Sequence, residues 1–173
     1  MSIKIYQSIL IKCALIGIIF SGHGTALANS QDQFEKLKVA FLYQFTSYIH
    51  WKNEKNPSKF NICFYESSAL KEKFIRAVKS SNLPVKVCDS WNIDKISDQH
   101  IIYLGKFDKN IVKIAQKNSI LTISHGVGYA KKGVAINFFN TIDMLRFEIN
   151  PGVLEESNLR LSSQVMKLGV IVE

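Results

Sequence analysis

Apolar positions recur along the chain with two different spacings, and the change from one to the other lays out the fold. Over 31–51, Phe34, Leu37, Phe41, Leu42, Phe45, Tyr48 and Ile49 fall at three- and four-residue steps, the stripe of an amphipathic helix. Asp32 stands where a cap would, with Glu35 three residues on in capping-box position; Lys36, Lys38 and Gln44 fall off the stripe. The polar stretch 53–58 contains Pro57 and predicts a loop. Beyond it, short apolar runs predict strands over 59–65, 84–88, 100–104 and 119–124. Helical patterns lie between them, one opening at Ser67 or Ser68 and ending near Asn82, another over 107–117, with 91–97 as a connection. Alternation of this kind argues for a mainly parallel sheet with crossover helices.

Then the period drops to two. The runs 133–139 and 144–149, joined by 140–143, predict an antiparallel hairpin. Leu145, Phe147 and Ile149 share one face of its second strand, and Arg146 and Glu148 the other. A short helix over 151–157 carries Pro151 in its first turn. Leu159, Leu161, Val165, Met166, Leu168 and Val170 form an apolar tail expected to pack on the sheet. The predicted fold class is therefore α/β: a single domain with a mainly parallel central sheet, flanking helices and a C-terminal antiparallel hairpin.

The first 28 residues follow a different logic. A basic start with Lys4 and Lys12 leads into an apolar run over 13–20, then into small and polar residues ending Ala26, Leu27, Ala28. That order is a secretory signal peptide, with cleavage expected between Ala28 and Asn29. The apolar run spans about 12 Å as a helix, well short of a hydrocarbon core of about 30 Å. Cys13 stands at the start of the apolar run, far ahead of the cleavage point where a lipoprotein leader carries its cysteine, so a lipid-anchored product is not expected. The predicted division is 1–28 leader and 29–173 domain, working in the periplasm as a soluble protein.

Composition narrows the classes further. At 47% apolar and 21% charged residues the chain is not disordered, and three prolines and nine glycines exclude a low-complexity polymer. The formal charge is +8; without Lys4 and Lys12, 20 basic residues face 14 acidic ones, a net +6. Such an excess suits acidic partners, anionic membranes or nucleic acid, and export makes nucleic acid the least fitting. Past the leader two cysteines remain, Cys63 and Cys88, each in a short β-like run. If those strands are neighbours a disulfide is possible in an oxidising compartment; two buried thiols are the other reading.

Candidate chemistry is sparse. The segment 124–133 places His125, Gly126, Gly128, Lys131, Lys132 and Gly133 after a predicted strand. Backbone N–H groups of a glycine-rich loop can receive an anion, so these six residues are candidate anion or partner contacts. The alternative is a connection whose glycines relieve backbone strain. The segment lacks the P-loop and dinucleotide patterns. Ser162 and Ser163 have no nucleophile elbow, and adjacent Glu155 and Glu156 do not face each other on a helix. Neither CxxC nor HExxH occurs. No catalytic residue, metal or cofactor is expected, and a periplasmic small-ligand sensor or carrier, using the open ends of the parallel strands, is the alternative function.

One further reading comes from the spaced pieces KVAFLYQF at 38–45, YIHW at 48–51, FNIC at 60–63, HIIYL at 100–104, LTIS at 121–124, GYA at 128–130, GVAINF at 133–138, RFEIN at 146–150, LRLSS at 159–163 and VMKL at 165–168. In order and spacing the chain resembles the YfiR family of periplasmic proteins. The resemblance implies an α/β domain that represses an inner-membrane diguanylate cyclase by binding its periplasmic part, lowering cyclic di-GMP and biofilm formation. It also implies sequestration by an OmpA-like outer-membrane lipoprotein, a stabilising disulfide and a homodimer. Departures include Gln44 for asparagine, Lys52 for proline, His125 for an acidic residue and Lys132 for a glycine. Gln99 stands where relatives often carry cysteine, so the usual bridge to Cys63 cannot form and Cys88 offers an alternative partner.

Overall fold

The computed structural model describes residues 26–52, 59–142 and 144–173, with side chains from Gln31 onward. The expected leader up to residue 25 and the loop 53–58 lie outside the described residues. Helix α1 (Ala26–Tyr48) is followed by β1 (Ile49–Trp51), β2 (Phe60–Tyr65), α2 (Ser68–Ser81) and β3 (Val85–Val87). A 3-10 turn (Ile93–Asp98) leads to β4 (Ile101–Leu104), α3 (Lys109–Lys117) and β5 (Leu121–Ser124). A second 3-10 turn (Ala130–Lys132) precedes β6 (Ile136–Asn140) and β7 (Leu145–Ile149). The chain closes with α4 (Pro151–Glu156), β8 (Leu159–Leu161), α5 (Ser163–Met166) and β9 (Val170–Ile171).

The central sheet has seven strands in the order β3-β2-β4-β5-β6-β7-β9. The first five run parallel, β6 and β7 form the antiparallel hairpin, and β9 lies parallel to β7. Strands β4 and β5 are buried at every position, as a sheet covered on both faces requires. One face packs on α1 and α2 through Ile62, Phe64, Ile101, Tyr103, Leu121, Ile123, Phe138 and Phe147. The other face packs on α3 through Ile102, Leu104, Ile111, Val112 and Ala115. Asp108 caps α3, its carboxylate accepting from the Asn110 and Ile111 amides at 2.8 and 3.1 Å.

Three expectations need correction. Asp32 caps nothing: α1 begins at Ala26, and Asp32 lies inside it, paired with Lys36 at 2.8 Å and with Lys73 of α2 at 3.0 Å. Those two ammonium groups, Lys36 first, hold its carboxyl below the usual carboxylate range. The helix also stops at Tyr48 rather than 51. Ile49, His50 and Trp51 pair antiparallel with Leu161, Arg160 and Leu159 in a separate two-stranded sheet. Three residues are too few to show a period of two, so the helical stripe masked the strand. The C-terminal tail accordingly contributes two strands, β8 to this small sheet and β9 to the edge of the large one, instead of simply covering a face.

Candidate functional site

The parallel strands all point their carboxyl ends to one rim, and the glycine-rich segment lies there, directly after β5. Its base is fixed by a polar ladder across three strands. Register sets Ser124 beside Asn137 and Asn137 beside Glu148. The Ser124 hydroxyl donates to Asn137 Oδ1 at 2.7 Å, and the Gly126 amide donates to the same oxygen at 3.0 Å. Asn137 Nδ2 donates to the Gly126 carbonyl at 2.8 Å and to Glu148 Oε2 at 2.9 Å. All four hydrogen-bonding positions of a side chain that is only 1% exposed are thus used. A fully satisfied buried network fixes geometry, so the loop leaves β5 in one direction.

His125 turns inward from that loop, toward α1. Its Nδ1 lies 3.1 Å from Lys38 Nζ, and Lys38 donates to Glu35 Oε1 at 2.7 Å. Lys38, expected off the buried stripe, is only 3% exposed. Its buried ammonium is tolerated because a carboxylate and an imidazole take its protons. Burial, and next the Lys38 charge, pull the His125 pKa down, while Glu35 pulls it back up. Tyr103 of β4 sits near this cluster; burial first, and the Glu35 charge second, raise its hydroxyl pKa. Sequence reading missed Lys38 because its position on the helical wheel is set by a polar partner on another element.

The remaining loop residues do not converge on His125. Gly128 and Gly133 adopt φ of +70° and +104°, where only glycine is comfortable. Lys132 Nζ lies 5.5 Å from the Phe107 ring centre and 5.7 Å from that of Tyr129, on the α3 side of the sheet. Lys131 is exposed. The structure therefore divides the six candidate residues: His125 and Gly126 are tied into the fold, and Lys131 and Lys132 face outward.

Elsewhere on the rim, the crossovers diverge between β2 and β4, the place where an open α/β sheet receives ligands. There the strand ends are held together: the Gly105 amide, just past β4, donates to the carbonyl of Tyr65 at the end of β2 at 2.8 Å. Beside β2 the structure joins Cys63 to Cys88 in a disulfide with Cα atoms 5.2 Å apart, inside the usual span. The register of β2 and β3 makes the bond possible, since Ile62 faces Val87 and the cysteines follow each of them. Closing 25 residues corresponds to about 3 kcal/mol on the chain-entropy account. Among the described residues, no group of three or more His, Cys, Asp or Glu could hold a metal ion.

Sheet order and rim define the class: an α/β domain whose polar side chains at the rim hold loops in place. The chain belongs to the YfiR/HmsC-like family, whose sequence pattern matches residues 35–170. The family's members are regulators of diguanylate cyclase signalling. A conserved domain protein from Vibrio cholerae O1 biovar eltor str. N16961 shares the fold, with TM-score 0.56 and 8% identity over 80% of this chain and 60% of that one. The ABC domain from Streptococcus pneumonia, solved with L-Trp, aligns with TM-score 0.47 and 12% identity over 66% of this chain and 55% of its own. The chain thus spans less than two thirds of either structure. No curated protein sequence matches it. Among the described residues no helix is long and apolar enough to cross a membrane.

Proposed function

We propose that this chain is a periplasmic regulatory binding protein that represses an inner-membrane diguanylate cyclase by contact with its periplasmic part, lowering cyclic di-GMP and biofilm formation. The observation that carries the reading is the family match, which runs from Glu35 in α1 to Val170 in β9 and so takes in the whole central sheet. The mechanism is a shift of population. A repressor that binds the inactive cyclase more tightly than the active one makes it the dominant state; equal affinity changes nothing. Moving the ratio from 1:99 to 99:1 takes about 5.5 kcal/mol of differential binding. The apolar C-terminal segment, with Val170 and Ile171 exposed, is the contact surface we assign. The Cys63–Cys88 bond anchors the edge strand β3, and sequestration by an OmpA-like lipoprotein would release the cyclase.

Deleting the gene tests this reading. Cyclic di-GMP is expected to rise, and the tagged protein to co-purify with a membrane protein carrying a diguanylate cyclase domain. An unchanged nucleotide level together with no such co-purification overturns it.

A further inference from the structure

The fold exposes two apolar side chains at one end of the sheet, on connections that leave adjacent strands. Val127 follows β5 and Ile142 follows β6, and each is 96% exposed; Met144, beside Ile142, is 49% exposed. Strands β5 and β6 are parallel neighbours, so both connections emerge from the same rim. The exposure of Val127 is not slack. Its loop is clamped at Gly126 by Asn137 and at His125 by Lys38, and is braced further on by Lys132 over the Phe107 and Tyr129 rings. A braced loop with an apolar apex presents that apex.

Lysines surround these tips. Lys106 follows β4, Lys109 opens α3, and Lys131 and Lys132 lie just past Val127; all four are exposed. The ion pairs among the described residues lie on α1 and α2 and use none of them. Of the acids at this rim, Asp108 is engaged as the α3 cap and Glu148 with Asn137, while Glu66 after β2 is exposed and Asp143 adjoins Ile142 in sequence, so four lysines face two other acids. The character of the patch selects the partner. Protein interfaces are depleted in lysine and anchor on Trp, Tyr and Arg. Separate branched aliphatic tips among lysines instead match the boundary of an anionic bilayer. Apolar groups enter the headgroup layer there, and flexible ammonium groups meet the phosphates.

We propose that the rim carrying Val127, Ile142, Lys106, Lys109, Lys131 and Lys132 docks on an anionic lipid surface. This goes beyond repression of a cyclase, because it places the protein in the plane of the bilayer by its own contacts. A cyclase-free experiment tests it: co-sedimentation of the full chain with vesicles of phosphatidylcholine alone, or of equal parts phosphatidylcholine and phosphatidylglycerol. The chain binds the anionic vesicles at low salt, binds neutral ones far more weakly, and loses affinity as salt rises. Lys131→Gln with Lys132→Gln weakens binding about 25-fold, about fivefold for each lysine near an anionic leaflet. Val127→Ser with Ile142→Ser weakens it about tenfold, as expected for withdrawing two small apolar groups from the boundary. Melting temperatures of both pairs check that the fold is kept; should either pair lower it, the salt and lipid dependence of the unaltered chain decides. Equal binding to both vesicles, no binding, or binding that ignores the lysine pair overturns the proposal. So does retention on immobilised polyglutamate without vesicle binding, which would assign the patch to an acidic protein.

Discussion

The two faces of the central sheet are built to different specifications. Under α1 and α2 the core is aromatic: Phe41 and Phe45 meet Phe138 and Phe147 at ring-centre distances between 5.6 and 6.1 Å, and Phe64 meets Phe74 at 5.5 Å. Under α3 the fully buried side chains are aliphatic, with Tyr65, Trp91, Phe107 and Tyr129 only partly buried around them, and the layer gives way at the rim to the Ser124–Asn137–Glu148 ladder. Large rings bury large areas and add edge-to-face and offset contacts. A hydrogen-bonded ladder adds little net stability but sets direction. The difference teaches a division of labour: one face supplies most of the stability, and the other holds the loops of the rim in place.

That division breaks if the two faces respond alike to truncation. Phe45→Ala removes a ring that is 1% exposed and packs on three others; the expected cost is about 3–5 kcal/mol. Val112→Ala on the opposite face loses two methyl groups and costs about 2 kcal/mol. Urea unfolding of both variants against the unaltered chain measures the gap. Equal costs would mean that the aromatic face carries no special weight.

Much of this plan was legible before the structure. The parallel middle, the β6–β7 hairpin and α3 follow from apolar period and turn chemistry, which are local signals. The ladder was not legible. Ser124, Asn137 and Glu148 are unremarkable singly, and only strand register brings them together. Strand β1 was hidden because Ile49 and Trp51 continue the helical stripe of α1, and their pairing with β8 lies more than a hundred residues away. Lys38 lies close in sequence to its counter-charge Glu35, three residues away, but the neutral His125 that also takes its proton is 87 residues distant, and that partner is not visible along the helix. At the rim, glycine content indicated a loop that needs left-handed backbone, as Gly128 and Gly133 do. It could not indicate that His125 faces inward while Lys132 faces out.

A second comparison sharpens the first, because the aromatic face also contains a charge. Removing Glu35 leaves the Lys38 ammonium, 3% exposed, buried without its carboxylate; removing Lys38 leaves the Glu35 carboxylate unpaired, but at 16% exposure it keeps some access to water. Glu35→Ala is expected to cost about 3 kcal/mol, Lys38→Met less because the charge it strands is the more exposed of the two, and replacing both by apolar chains least of all. Urea unfolding of both variants, with the double variant closing the cycle, gives the coupling. A large loss for Lys38→Met with little for Glu35→Ala would show that the ammonium is held by other contacts and that the pair does not matter.

The smallest effect concerns the residue at the junction of the two faces. His125 directly follows β5, so it links the α1 cluster to the loop carried by the ladder. Burial and Lys38 hold its pKa below the ordinary 6.5, with Glu35 opposing. The folded state therefore binds fewer protons than the unfolded chain just below that value. By linkage, stability rises with pH there: the contribution of neutral His125 is complete above 6.5 and is lost as pH falls through the lower, folded value. Lys38 and Glu35 on α1 and Tyr103 on β4 are the titratable groups that face it. Stability measured stepwise from pH 7 downward should decline less steeply in His125→Gln than in the unaltered chain. In Lys38→Met, with the cation gone, the imidazole pKa read by NMR should move up. If His125→Gln keeps the full slope, the carboxylates account for the acid sensitivity, and the contact between loop and α1 is insensitive to protonation of the ring.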